Sequence, residues 1–357
     1  MILESLGVED FRCIEKAELA LHPRCNLISG ENASGKTSLL EAMFFLGRGR
    51  SFRAAQTDTL VKSGSVGFLL TGRIQAGGRS QPLGMRYGKT GIEARYGGRP
   101  VGGLAELATV LPAQAIDPEV HRLVEGGPLE RRRYLDWGVF HVEPGFIGHW
   151  RRYQRALKQR NAALRAEQPE ALVRVWDTEL VESGEEVAAL RQAYVDKLAP
   201  HVSRVGERLL GAPLEIILHR GWTADRPLAD SLASAWPRDR ARGLTHSGPH
   251  RADLAVRFEG ALARDRVSRG QQKLAASSLL LGQLRCDAEL GSEVALLLVD
   301  DPAAELDESH LRGLLQEVSD VSAQLVVTAL DPGNSALGSL PQGHRFHVEH
   351  GEVTRLI

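Results

Sequence analysis

One octapeptide constrains this chain more than any other feature: Gly30-Glu31-Asn32-Ala33-Ser34-Gly35-Lys36-Thr37. It reads G-x-x-x-x-G-K-[ST], a glycine loop whose backbone N–H groups cradle phosphate. Its flanks have the right character. Asn26-Leu27-Ile28 is a short apolar run that predicts a strand. Residues 38–46 carry Leu39, Leu40, Met43, Phe44, Phe45 and Leu46, enough for a buried helix. Strand, loop and helix in that order aim N–H groups and a helix N-terminus at an anion. Lys36 is then placed for the β- and γ-phosphates of a nucleotide, and the Thr37 hydroxyl for Mg²⁺.

Composition narrows the class without naming a task. A length of 357 residues predicts about two domains. With 43 % hydrophobic and 25 % charged residues, a sizeable core is available. The formal net charge of −1 supplies no global pull on nucleic acid or membrane, so such binding must come from local patches. Cys13, Cys25 and Cys286 show no metal spacing and fit a reducing compartment. Residues 1–5 lack a signal-peptide pattern, and no apolar run approaches the roughly 18 residues of a membrane helix. The expectation is a soluble, cytoplasmic protein.

Along the chain, Ala17, Leu19 and Leu21 alternate with Glu18 and Ala20, a half-buried strand that ends at His22-Pro23. Arg12, after Phe11, fits either a fold back onto nucleotide or a surface turn. Arg48, Arg50 and Arg53 stand among glycines, Ser51 and Phe52, which suits either phosphate contacts or a solvated loop. Residues 65–101 read as a β-meander turning at Gly77-Gly78 and Gly97-Gly98, and are expected to finish a sheet begun by residues 1–29. A short strand is expected to end at residues 110–114.

From about residue 131 the composition turns helical. Trp150, Tyr153, Leu157 and Leu164 predict a helix over 144–166, with Arg151, Arg155, Lys158 and Arg165 on another face. That basic stripe fits either a duplex-backbone contact or a wet helix face. Val173, Trp176, Leu180, Val187, Tyr194 and Leu198 predict a second helix. The two would form a short antiparallel arm about 35 Å long. Leu214-Glu215-Ile216-Ile217-Leu218 and Ala252-Asp253-Leu254-Ala255-Val256 predict strands, with a linker holding Pro227 and Pro237 between them. The C-terminal tail predicts a hairpin.

Two later stretches bear on the nucleotide loop. Residues 294–299 are a buried apolar strand ending in Asp300-Asp301-Pro302. Asp300 is placed to hold Mg²⁺ and Asp301 to orient a water. Ser268-Arg269-Gly270-Gln271 leads straight into the apolar helix of residues 274–290: alone it reads as a helix cap, and together with the glycine loop and the paired acids its hydroxyl, N–H and helix N-terminus read as an anion site.

In order, the glycine loop, S-x-G-Q, the strand with paired acids and Glu305-Leu306-Asp307 resemble ABC-type ATPase heads. The split by a helical insert is similar to the SMC-like DNA-repair branch. Within it the chain resembles the RecF family. The residues that carry this are Gly30–Thr37 with Leu39-Leu40-Glu41-Ala42, Ser51-Phe52-Arg53, Leu123-Val124-Glu125-Gly126 with Pro128 and Arg131–Asp136, Gly248-Pro249-His250-Arg251 with Asp253-Leu254, Ser268–Lys273 and Asp300–Asp307.

The resemblance implies an α/β fold: an ABC-type P-loop ATPase head with mixed sheets (residues 1–112 and 245–357) plus a helical second lobe (113–244) bearing the arm. It implies ATP and Mg²⁺ as cofactors, Arg12 against nucleotide, and Ser268, Gly270 and Gln271 closing on the ATP of a second copy. ATP would then drive a homodimer. The resemblance also implies double-stranded DNA and single-/double-strand junctions as ligands, RecR, RecO and RecA as partners, and a slow, DNA-stimulated hydrolysis. Gln114 is carried as the glutamine at a strand end before the helical lobe. Asp301 is one methylene shorter than the glutamate usual after the first acid, and Val327-Thr328-Ala329 replaces the usual switch histidine, leaving Thr328 to bond the γ-phosphate. The alternatives are a transporter ATPase subunit, which usually keeps that histidine, or a long-armed SMC-like structural ATPase, for which the helical insert is too short.

Overall fold

The computed structural model describes residues 1–292, 296–304 and 306–356. Val294 and Ala295 of the expected strand, and Glu305 of the motif after it, lie outside the described residues. The chain forms two compact units, residues 1–120 with 291–357 and residues 121–290.

The first unit opens with β1 (Ile2–Phe11), β2 (Ile14–Ala20) and β3 (Cys25–Ser29), followed by α1 (Lys36–Arg48). The meander supplies β4 (Phe68–Ala76), β5 (Arg79–Gly88), β6 (Gly91–Tyr96) and β7 (Arg99–Pro100). Then come α2 (Leu104–Val110) and β8 (Ala113–Ile116). The second unit runs α3 (Arg122–Glu125), α4 (Pro128–Val142), α5 (Phe146–Arg165), α6 (Glu170–Arg174) and α7 (Asp177–Leu210). It continues with β9 (Leu214–His219), α8 (Leu228–Arg242), β10 (Asp253–Phe258), β11 (Ala261–Leu262), α9 (Ala263–Arg266) and α10 (Arg269–Glu289). The chain returns to the first unit for β12 (Leu296–Val299), α11 (Glu308–Ser319), β13 (Gln324–Ala329), β14 (His344–Glu349) and β15 (Glu352–Leu356).

Two six-stranded sheets build the first unit. One is antiparallel, in the order β2-β1-β4-β5-β6-β7, so the meander does finish the sheet that β1 and β2 begin. The other has the order β15-β14-β3-β13-β12-β8 and is parallel except for the edge strand β15. Parallel strands covered on both faces carry continuous apolar runs. Leu296, Leu297, Leu298 and Val299 are accordingly all inaccessible. α1 is buried nearly all round, and Phe11, Phe45 and Phe68 meet edge to face in one continuous core. The parallel register brings the carboxyl ends of β3, β8, β12 and β13 to one edge. That edge is where α/β sheets hold ligands.

In the second unit α5 and α7 run antiparallel, as the arm predicts: Arg160 meets Asp177 while Arg152 meets Glu179. α5 is 20 residues long, but α7 reaches 34 and continues through Pro200. At 1.5 Å per residue those lengths are roughly 30 Å and 51 Å. α10 packs on α7, with Gly282 against the Val202 backbone and Tyr194 donating to Asp287 at 2.6 Å.

Several sequence expectations differ from what folds. The stretch before residue 113 is a helix, α2, and the strand begins after Pro112. The presumed linker holds the 15-residue α8, with Pro237 inside it, because Leu228 and Leu232 bury one face against Tyr153, Leu157 and Leu180. The unit boundaries also move. Residues 113–120 cluster with the head because β8 pairs with β12. Residues 245–290 cluster with the helices because β10 pairs with β9 and α10 packs on α7. Among the described residues no helix is long and apolar enough to cross a membrane.

Burial in this helical packing pushes the Asp287 carboxyl up to about 7, against the smaller opposing effect of the Tyr194 bond. The folded chain therefore keeps a proton that the unfolded chain has lost between about pH 4 and pH 7. Stability from this group falls as pH rises through that window. Asp287→Asn should flatten the dependence, so that the fall in melting temperature from pH 5 to pH 8 shrinks by several degrees. An unchanged pH profile in thermal denaturation would remove Asp287 from this role.

Candidate functional site

The site assembles where β3 ends and α1 begins. Gly30 takes φ of +151°, and a Cβ there would run into the Val348 carbonyl, so a larger residue would displace the loop. Lys36, the first residue of α1, is buried and donates from Nζ to the Gly30 and Glu31 carbonyls, each at 2.7 Å. Burial lowers its pKa, and the nearby charges of Asp301 and Asp300 oppose that shift. Ser34 is also buried, and its Oγ has no hydrogen-bond partner among the described residues. An orphaned hydroxyl beside a helix N-terminus fits a phosphate oxygen.

The second half arrives from the far end of the chain. Asp300 follows β12, and its backbone N–H bonds Ile116 at the end of β8. Its carboxylate accepts the Thr37 hydroxyl at 2.9 and 3.0 Å. The Thr328 hydroxyl donates to Asp300 at 2.8 Å and accepts the Asp301 N–H, also at 2.8 Å. Burial raises the Asp300 pKa, opposed by the bonds from Thr328 and Thr37 and by the charge of Arg53. Among the described residues, no group of three or more His, Cys, Asp or Glu side chains could hold a metal alone. One hydroxyl and one carboxylate, completed by phosphate oxygens and water, are the hard donors that Mg²⁺ takes.

Other expected residues have partners within the protein. The Arg12 guanidinium is tied to Glu41 through Nε and Nη2, each at 2.8 Å, and to the Thr59 carbonyl at 3.1 Å. Glu41 is fully buried on α1 and also accepts the Ser51 hydroxyl. Ser51 Oγ in turn accepts the N–H groups of Arg53 and Ala54. Arg12 thus clamps the segment after α1, and that segment carries Arg53 near Asp300 and Asp117. Gln114 lies within β8, in register with Leu297, three residues short of the strand-edge position. Thr328 is fully buried, and its one proton goes to Asp300 rather than outward to a γ-phosphate.

The residue that follows β8 is Asp117, which the motifs in the sequence do not single out. It is nearly buried, and desolvation pushes its carboxyl up to about 6 with help from the charge of Asp300. Its signal was present: Ala115-Ile116-Asp117 shortens the apolar-run-then-acid pattern of residues 296–300.

Ser268, Gly270 and Gln271 stand at the N-terminus of α10 in the helical unit. Ser268 Oγ accepts the Gln271 N–H at 3.4 Å, and Gln271 Oε1 accepts the Ser268 N–H at 2.9 Å, a complete capping box. Arg151, Arg155, Lys158 and Arg165 are all exposed on α5, while Tyr153, Leu157 and Leu164 bury the opposite face. Arg152, between them, is neutralised by Glu179.

Comparison with known proteins bears on this geometry. Residues 2–338 match the model described as the RecF/RecN/SMC N terminal domain. The chain is 40 % identical over 358 residues to the DNA replication and repair protein RecF of Shewanella pealeana, covering 99 % of both chains. The chain belongs to the RecF family. A second relative, the protein of the same name from Edwardsiella ictaluri, is 40 % identical over 356 residues, again covering 99 % of both. A solved structure described as the recombination mediator protein RecF-ATP in the RecFOR pathway superposes with a TM-score of 0.89 at 27 % identity, covering all of this chain and 98 % of the other. An SMC head bound to a domain of ScpA shares the fold alone, at 14 % identity and a TM-score of 0.63. The expected fold, a head of the ABC type in its SMC-like branch, is the one found.

Proposed function

We propose that this chain is an ATP-switched, DNA-binding recombination mediator of gap repair. The observation that carries the reading is the bonding of Thr37, on the phosphate loop, to Asp300, some 263 residues later. A hydroxyl and a carboxylate brought together beside the glycine loop support a Mg²⁺-binding pair, and the family relatives named above include one solved with ATP.

Thr37 and Asp300 would hold Mg²⁺, which would supply neutralisation of phosphate charge. The chain's own groups do the rest. Lys36 and Ser34 position phosphate oxygens, and Thr37 and Asp300 hold the metal. Asp301, fixed by Thr328, orients water, while Arg53 offers a further cation. Asp301's short side chain fits slow turnover. The capping box at Ser268, Gly270 and Gln271 serves the triphosphate of a second copy, making ATP the link of a homodimer. The α5 stripe of Arg151, Arg155, Lys158 and Arg165 contacts duplex backbone. By family resemblance the DNA-stimulated switch works with RecO and RecR to load RecA at single-/double-strand junctions.

Sedimentation with and without ATP and gapped duplex tests this reading. Ser268→Arg should keep ATP binding by the monomer and lose ATP-induced dimerisation, because a bulky cation replaces the cap hydroxyl. A variant that still dimerises with ATP would remove the trans role. Asp301→Asn should accumulate an ATP-bound dimer with turnover slowed roughly 100-fold or more, the range of a lost water-orienting group. Rapid hydrolysis by that variant would assign the water to another residue.

A further inference from the structure

Two motifs remain outside the nucleotide site: the arginine run of α4 and the Gly248–Asp253 turn. The helical unit brings them together. Arg131 is buried and binds Asp253 through Nε and Nη2 at 2.7 and 3.1 Å, with Nη1 on the Gly126 carbonyl at 2.6 Å. Arg191, from α7, binds Asp136 at 2.8 and 3.0 Å and donates to the Pro249 carbonyl at 2.8 Å. Each carboxylate of the group is thereby taken by a buried guanidinium.

Two guanidiniums are left over. Arg132 is half-buried and donates from Nη1 to the Ala252 carbonyl at 2.7 Å. Arg251 is exposed on the turn. Neither has an ion-pair partner among the described residues: Arg132 is repelled by Arg191 and Arg251, and the Asp253 and Asp136 carboxylates that draw it are already bonded by Arg131 and Arg191. Like charges held side by side cost free energy unless an anion joins them.

The turn that presents them is rigid. Gly248 takes φ of +135°, and a Cβ there would strike the Tyr153 hydroxyl. That hydroxyl bonds His250 Nδ1, and His250 Nε2 meets the Thr245 carbonyl at 2.9 Å. Arg191 and Arg132 hold the carbonyls on either side of His250-Arg251. Preorganised guanidinium forks match phosphate oxygens, and an order set in advance lowers the cost of binding.

We infer that Arg132 and Arg251 form a twin-arginine clamp for the phosphodiester backbone of duplex DNA, separate from the α5 stripe. The inference rests on the proposed DNA-binding function. In a chain whose net charge is only −1, a local excess of two cations is the kind of feature that supplies attraction.

The test measures binding of a plain duplex oligonucleotide by the full chain with ATP, by fluorescence anisotropy across a salt series. Each lost phosphate contact lowers the slope of log K against log salt by about 0.9. Arg251→Ala, at an exposed position, should lower it by about 0.9, and Arg132→Ala with Arg251→Ala by about 1.8. ATP affinity and an Arg312→Ala control should stay at wild-type values, as should the melting temperature of Arg251→Ala, while the double variant, which also loses the Arg132 bond to the Ala252 carbonyl, should melt a few degrees lower and stay folded. Arg251→Lys should restore the slope, since a point charge suffices for this term. Wild-type slopes in both variants would overturn the clamp while leaving the proposed function intact, and would favour an acidic protein on these arginines. A loss of ATP affinity in place of DNA affinity would assign them to nucleotide phosphate and overturn the clamp. Failure of the wild-type chain to bind duplex would overturn the functional reading and the clamp together.

Discussion

Lys36→Ala is expected to weaken ATP binding by roughly 30- to 4,000-fold, the equivalent of about 2–5 kcal/mol for removing one partner of a buried, hydrogen-bonded charge pair. The ammonium is buried, bonded to two loop carbonyls, and faces two carboxylates. Without it, Gly30 and Glu31 lose their donor, and Asp300 and Asp301 confront the triphosphate with no intervening cation from the loop. Both effects oppose the same ligand. Fold should be preserved, because α1 is anchored by its apolar residues and not by this side chain. Calorimetric titration with Mg-ATP checks the prediction, with the melting temperature as control. Wild-type affinity in a folded variant would remove the phosphate loop from nucleotide binding.

Asp239→Ala should destabilise the helical unit by about 3–5 kcal/mol. Asp239, on α8, is fully buried and accepts Arg160 Nη1 at 2.8 Å and the His246 N–H at 3.0 Å, with His246 Nδ1 at 2.9 Å. Arg160 is fully buried too, and bonds Asp177 at 2.7 Å and the Thr245 hydroxyl at 2.8 Å. One charge cluster thus ties α5, the start of α7, α8 and the segment after it. Truncating the carboxylate leaves a guanidinium in a dry interior with half its compensation gone. Replacing both partners, Asp239→Leu with Arg160→Met, should recover part of the loss, since the fully buried pair is then gone and only Asp177, which reaches solvent, loses its partner. Denaturant unfolding followed by tryptophan fluorescence reads the helical unit, which holds all five tryptophans, Trp137, Trp150, Trp176, Trp222 and Trp236. A single variant within about 1 kcal/mol of wild type would show that water reaches Arg160.

How far the sequence could be read depended on how local each feature is. The phosphate loop, its strand and its helix are contiguous, and the meander announced itself through alternation and double glycines. α8 escaped because its prolines resemble a linker, although Leu228, Leu232 and Trp236 fall at four-residue steps. The sequence leaves Arg12 open because an arginine's charge does not name its partner, and Glu41, which it bonds, stands 29 residues away on α1. Gln114 drew attention as a glutamine near a strand end, while the register of β8 against β12 sets Asp117 at that edge.

What the amino-acid sequence determined alone was the glycine loop between its strand and helix and the buried strand that ends in paired acids, since the conformation of eight consecutive residues and the burial of an apolar strand are local matters. Which acid meets which hydroxyl was decided only by the fold. Parallel pairing of β8, β12, β13 and β3 aligns strand ends that lie hundreds of residues apart, so Thr37, Asp300, Thr328 and Asp117 become neighbours through sheet register. The same holds for Arg132 and Arg251: their opportunity to share a phosphate exists because α4 and the turn before β10 pack together, and no spacing along the chain encodes that distance.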